Sequence, residues 1–145
     1  MQNMKAKVSS QSLFVVFFLL SIYLFLAKSV SAQVVINEVL NNPVDTEAGA
    51  EWVELFNLGT EIASLNGCTL YLDDSTASQR IVFGDGDFVD KFKVISWDSA
   101  WLNNSGDIIR FECATQTDSV SYGDNVGSVV SSADDGVSFG RSPDG

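Results

Sequence analysis

From Gln33 to Gly145 the apolar side chains recur at every second position or in short runs, and Gly, Asn or Asp interrupt them roughly every ten residues. No stretch carries an apolar face at helical spacing. A chain patterned in this way can bury its apolar residues only by forming strands with one face turned inward. The clearest case is Asp107 to Cys113, where Ile109, Phe111 and Cys113 share one face and Arg110 and Glu112 the other. Less regular alternation marks Val34 to Leu40, Glu51 to Asn57, Cys68 to Leu72, Arg80 to Phe83, Phe92 to Trp97, Ser119 to Tyr122 and Gly136 to Phe139.

The breaks have turn chemistry. Asn66-Gly67, Gly84-Asp85-Gly86-Asp87, Ser105-Gly106-Asp107 and Gly123-Asp124 supply residues that accept positive φ at little cost. Short strands joined by such turns, with no helices to cross over between them, predict antiparallel pairing in an all-β fold: an immunoglobulin-like antiparallel β-sandwich. A small closed barrel shares the same periodicity and stands as the alternative. The stretch from Val126 to Asp135 reads as a loop rich in Ser, Val and Asp.

The first 32 residues have a different character. Lys5 and Lys7 precede an apolar segment from Leu13 to Ala27, and the small residues Val30, Ser31 and Ala32 follow it. This is the three-part layout of a secretory signal peptide, with the cut expected between Ala32 and Gln33. The alternative is a retained anchor, but a span needs about 20 apolar residues and Lys28 ends this run early. Residues 33–145 are then one domain, and the product is expected to be secreted or held at the cell surface without a stable membrane span. Export also places Cys68 and Cys113 in an oxidising compartment, where they form either one bridge or two small buried thiols.

Charge and composition narrow the function. Three of the eight basic residues, Lys5, Lys7 and Lys28, lie in the leader, leaving five against nineteen acidic ones and a formal charge of −14. Five scattered cations cannot form a phosphate-binding surface, so no nucleic-acid partner is expected. The chain has no histidine, which removes the commonest general base, the Ser/His and Cys/His pairs and imidazole zinc sites. No serine forms a Ser-x-x-Lys pair, and the Gly-x-Ser-x-Gly spacing from Gly136 to Gly140 has no histidine in the chain to activate Ser138.

Six strings in order resemble the lamin tail domain in its prokaryotic, secreted form. They are Val35-Ile36-Asn37-Glu38-Val39, Glu51-Trp52-Val53-Glu54-Leu55-Phe56-Asn57 and Leu65-Asn66-Gly67-Cys68-Thr69-Leu70, followed by Leu102-Asn103-Asn104-Ser105-Gly106-Asp107, Asp118-Ser119-Val120-Ser121-Tyr122-Gly123-Asp124 and Ser138-Phe139-Gly140-Arg141-Ser142-Pro143-Asp144-Gly145. The resemblance spans about Val34 to Gly145. It implies an immunoglobulin-like sandwich and an exported, non-enzymatic module. The chain departs from the family pattern at Cys68, where a tryptophan is usual. Either other side chains fill that volume or Cys68 bonds to Cys113.

Three clusters invite chemistry. Glu51, Trp52 and Glu54 could suggest an acid and base pair for glycoside cleavage. Strand geometry instead puts Glu51 level with Val53 and Leu55 and turns Trp52 the other way, which fits a strand whose charged end is hydrogen-bonded near the rim. Glu38 beside Asn37 reads the same way. Asp85, Asp87 and Asp90, with Asp73 and Asp74 upstream, suggest calcium. The strict loop pattern fails there, with Val89, Asp90 and Ser96 at positions that need an oxygen ligand, a glycine and a glutamate. A solvated tip that discourages edge pairing is the simpler reading. Trp97 is expected in the core and Trp101 either there or on the surface. Asn103-Asn104-Ser105 matches the N-glycosylation pattern in what should be an exposed turn.

The expected function is a non-catalytic secreted or cell-surface binding module, with no cofactor and with a protein or an envelope polymer as partner. Alternatives are a calcium-dependent adhesion or matrix component and, behind it, a small carboxylate-dependent hydrolase.

Overall fold

A computed structural model describes residues 33–145 apart from 45, 47, 73–77, 126 and 129. The expected leader with its cut after Ala32 lies outside the described residues, as do Asp73 and Asp74. Among the described residues there are ten strands and no helix. They are β1 (Val34–Leu40), β2 (Trp52–Asn57), β3 (Ala63–Ser64), β4 (Thr69–Tyr71), β5 (Arg80–Val82), β6 (Phe88–Val89), β7 (Phe92–Ser96), β8 (Ile108–Cys113), β9 (Gln116–Ser121) and β10 (Phe139–Gly140). Six of the eight stretches expected from alternation contain a strand, whereas Ser119 to Tyr122 overlaps the end of β9 and Gly136 to Phe139 meets β10 only at Phe139. The additional β3 and β6 form a two-residue ladder, too short to show any period.

Two four-stranded antiparallel sheets result, ordered β10, β1, β2, β7 and β5, β4, β8, β9. Their inner faces share one core. Ile36, Val39, Val53 and Leu55 of the first sheet pack in the same cluster as Leu70, Ile109 and Phe111 of the second. The architecture is an all-β sandwich. The sheets remain separate hydrogen-bonded units, which distinguishes it from the closed barrel.

The irregular alternation of β1 has a local cause. Its register against β2 runs Val34↔Asn57 to Ile36↔Leu55 and resumes at Glu38↔Glu54, so Asn37 is the extra residue of a β-bulge. The bulge reverses the parity of the strand. Val34 and Ile36 supply the core before it, and Val39 supplies it afterwards, opposite Val53.

Cys68 and Cys113 are disulfide-bonded, with Cα atoms 4.2 Å apart. The register Thr69↔Glu112 places them opposite each other, so the bond extends the β4–β8 ladder within one sheet. The Phe83 N–H donates to Cys68 O at 3.0 Å, and its ring meets Phe111 edge-on at 6.2 Å. These apolar groups occupy the space around Cys68.

Candidate functional site

Four of the strings noted in the sequence meet at one seam of the sandwich. The bulge turns Asn37 so that its Nδ2 donates to Glu54 Oε1 at 2.9 Å and to Asp144 Oδ1 at 3.4 Å, while its Oδ1 accepts the Gly145 N–H at 3.0 Å. The Arg141 N–H donates to Asn37 O at 2.8 Å, and Arg141 Nε donates to Ile36 O at 2.7 Å. Arg141 Nη2 then reaches both oxygens of Asp118 on β9, at 2.7 and 2.9 Å. Asp118 Oδ2 also accepts the Ile36 N–H at 2.7 Å. Next to it, the Val34 N–H donates to Gln116 Oε1 at 3.3 Å, and Gln116 Nε2 donates to Val34 O.

Side chains of β9 therefore do for the start of β1 what a neighbouring strand would do. β10 pairs only with Glu38 and Val39, so Val34 and Ile36 would otherwise carry unpaired backbone groups at a buried edge. Beside these bonds lies a groove of about 360 Å³ whose walls include Ile36, Val39, Val120, Val130 and Phe139, with Arg141 at its margin. Periodicity could not reveal this arrangement, because it depends on bonds between residues as much as 108 positions apart. The signal that was present is the occurrence of the four strings in one chain.

The opposite side of the sandwich is open. Asn57 donates to Lys91 O at 2.9 Å, and alternation from that bond turns the backbone groups of Phe92, Val94 and Ser96 away from β2. Among the described strands none pairs with that edge of β7 or with the outer edge of β5. Ile81, Val82, Val94 and Trp97 line a shallow depression between the two edges, and Asp87, Lys93 and Asp98 give it its charge. Val82 and Val94 are well exposed there.

Glu51 does not sit at the rim. It is fully buried, and the reason is a set of donors gathered around its carboxylate. Trp97 Nε1 and the Trp101 N–H donate to Oε2 at 2.8 Å each, and the Leu102 N–H lies 3.2 and 3.3 Å from Oε2 and Oε1. One carboxylate thus holds the chain that leaves β7. Trp97 is in the core, and Trp101 stacks on it at 6.0 Å with a 13° interplanar angle, half-buried. Trp52 points to the other face, and Glu54 is bonded to Asn37, so no acid and base pair faces a common cleft at this cluster. Glu38 accepts from Ser138 Oγ.

The acidic turn is also committed locally. Asp85 Oδ1 accepts from Asn66 Nδ2 at 2.5 Å, Asp87 Oδ2 accepts the Gly84 N–H at 3.0 Å, and Lys93 Nζ lies 3.7 Å from Asp87 Oδ1. Asp90 is exposed and contributes its backbone oxygen to Asn57 Nδ2 at 2.9 Å. Among the described residues no three His, Cys, Asp or Glu side chains converge to hold a metal ion. Asn103 is exposed in the turn that precedes β8.

No protein-family model matches the chain, and neither a curated protein nor a solved structure does.

Proposed function

We propose that the chain is an exported, immunoglobulin-like β-sandwich module of the lamin-tail type that acts by contact, with a protein or an envelope polymer as its partner and no chemistry of its own. The observation that carries this reading is the seam. The strings that resemble the lamin tail domain supply Asn37, Asp118, Arg141 and Asp144, and those residues are bonded to one another and to the β1 backbone. They hold a scaffold together. The most deeply buried carboxylate, that of Glu51, has the same kind of work, since its oxygens are occupied by protein donors.

Export fits the paired cysteines, because a disulfide persists where thiols oxidise. Action by contact fits the open side, where two strand edges and the apolar side chains of Val82 and Val94 are accessible.

The test is to express the whole chain with its leader, collect cells and medium separately, and follow the product by intact mass. The expected product begins at Gln33, carries the 68–113 disulfide and appears in the medium or on the cell surface. The exported product is then sedimented with isolated envelope material while soluble fragments are assayed. Retention on the envelope without fragment release is the expected result. A reduced, full-length chain confined to the cytosol, or release of envelope fragments that depends on the added protein, would overturn the reading.

A further inference from the structure

Asn103, Asn104 and Ser105 form the pattern Asn-x-Ser, and we propose that Asn103 is the acceptor of an N-linked glycan at the end of the sandwich remote from Gln33 and Gly145. The proposal rests on the export reading above, since the glycosyl donor, a lipid-linked oligosaccharide pyrophosphate, is met only on the secretory route. In the transfer, Asn103 Nδ2 attacks the anomeric carbon of the first sugar. The new N–C bond forms as the C–O bond to pyrophosphate breaks. The lipid pyrophosphate leaves with the electron pair, and one Nδ2 proton passes to the transferase.

The structure presents this side chain in a suitable state. Its backbone is held on both sides: the N–H donates to Asp107 Oδ2 at 3.3 Å, and the C=O accepts from Tyr122 Oη at 2.8 Å and from the Gly106 N–H at 3.1 Å. Among the described residues, all bonding to this side chain falls on the amide oxygen. Oδ1 accepts the Ser105 N–H at 3.0 Å and the Ser105 hydroxyl at 2.8 Å. Nδ2 donates to none of the described residues, and the residue is exposed. A hydroxyl donating to the carboxamide oxygen favours loss of an Nδ2 proton as the new bond forms, so the group that reacts is the group left free. A glycan on Nδ2 would displace no hydrogen bond to the described residues.

A second asparagine provides an internal contrast. Asn66-Gly67-Cys68 has the spacing of the rarer pattern that ends in cysteine. There Asn66 Nδ2 is already bonded to Asp85 Oδ1 at 2.5 Å, and the Cys68 sulfur is in the disulfide, which leaves no thiol to act on the amide oxygen. Of the two patterns, only the one at Asn103 has a free amide nitrogen with a hydroxyl on its oxygen.

The position is also accessible on the folded domain. Leu58 N–H donates to Gln33 O at 2.9 Å, and a Cβ placed on Gly145 would lie 3.0 Å from Phe56 Cε1, so Gln33 and Gly145 both sit at the Asn57 end of β2. Ser96 lies opposite Trp52 at the other end, and Asn103 belongs to the loop that leaves from there.

The experiment is expression of the full chain in a eukaryotic secretory host, as wild type, N103Q, S105A, S105T and N66Q. A parallel set carries a known cleavable leader in place of residues 1–32. The readout is the change in mobility and intact mass on treatment with peptide N-glycosidase F. The expected result is a sensitive shift in wild type, S105T and N66Q, and its loss in N103Q and S105A. S105A keeps the asparagine, so loss of the shift there, in a variant secreted as well as wild type, reports the acceptor pattern and not misfolding. A secreted wild type with no shift would overturn the proposal and leave export standing. A shift seen only behind the substituted leader would support the acceptor site while overturning export by the chain's own leader.

Discussion

The indole nitrogen of Trp97 donates to Glu51 Oε2 at 2.8 Å, joining the residue before β2 to the residue after β7 across 46 positions of sequence. The same carboxylate receives two backbone N–H groups, from Trp101 and Leu102. All three donors reach Oε2, so a glutamine could meet them with its amide oxygen, whereas leucine offers no acceptor. Glu51→Leu is expected to lower stability by about 2–4 kcal/mol, the range for stranding buried donors of a charged acceptor. Urea unfolding followed by tryptophan fluorescence checks the magnitude, and an unchanged midpoint would refute the anchoring role.

Two other fully buried polar side chains, Asn57 and Asn41, predict opposite outcomes. Asn57 Nδ2 donates to Glu61 O at 2.7 Å and Asp90 O at 2.9 Å, and its Oδ1 accepts the Gly59 N–H at 2.9 Å. Asn41 Nδ2 and Oδ1 are hydrogen-bonded to none of the described residues. Asn57→Leu strands several backbone groups and is expected to cost about 3 kcal/mol or more, whereas Asn41→Leu removes an unpaired amide and is expected to be neutral or to stabilise by about 1 kcal/mol. Thermal melts of the two variants side by side test the difference in sign.

These contrasts show what the residue pattern could and could not convey. The core face of β8 was legible because Ile109 and Phe111 sit at strict period two, and both are fully buried. The face of β1 was harder to read because the bulge at Asn37 shifts its parity, and a one-residue insertion looks like noise in a seven-residue strand. Alternation places Glu51 on its face but says nothing of its donors, which come from residues 46 or more positions away, so its burial is not legible in the strand. The seam was present as separate strings whose meeting depends on sheet order. That order is a property of the whole chain, invisible to any local window.

The turns at Ser105-Gly106 and Gly123-Asp124 pack against each other, with the Asp124 N–H donating to Ser105 O at 2.8 Å. Gly123 has φ +69°, and a Cβ there would lie 2.5 Å from Gly106 Cα and 2.6 Å from Ser105 C, all of it backbone. Gly67 has φ +78° but nothing within 4 Å of its would-be Cβ. Gly67→Ala is therefore expected to cost about 1–2 kcal/mol for the left-handed conformation alone. Gly123→Ala adds a backbone collision and is expected to exceed Gly67→Ala by at least about 2 kcal/mol. Equal midpoints for the two variants would contradict the close approach of the turns.

The disulfide closes a loop of 45 residues. On the chain-entropy account such a closure stabilises by at most about 4 kcal/mol, through restriction of the unfolded chain. The double variant Cys68→Ala/Cys113→Ala is expected to lose up to that amount while keeping its strand content by far-UV circular dichroism, because Thr69 and Glu112 still pair beside the lost bond. Wild type unfolded in excess reductant should fall to a similar midpoint. If reductant leaves the midpoint unchanged, the bond is not closing this loop in the folded protein.

At the seam, the visible ion pair and the less conspicuous backbone bond carry different weights. Arg141 Nη2 spans both oxygens of Asp118, but the arginine side chain is 37% exposed and the pair is partly screened by solvent. Ile36, whose N–H donates to Asp118 Oδ2, is 2% exposed. Arg141→Lys keeps the charge but gives up the Nε bond to Ile36 O, and it is expected to cost about 1 kcal/mol. Asp118→Leu leaves the Ile36 donor with no acceptor and is expected to cost about 2–3 kcal/mol. Amide hydrogen exchange resolves the two effects at one atom: the Ile36 N–H should exchange markedly faster in Asp118→Leu and near the wild-type rate in Arg141→Lys. If both variants speed exchange equally, Arg141 rather than Asp118 is what closes the first strand against the second sheet.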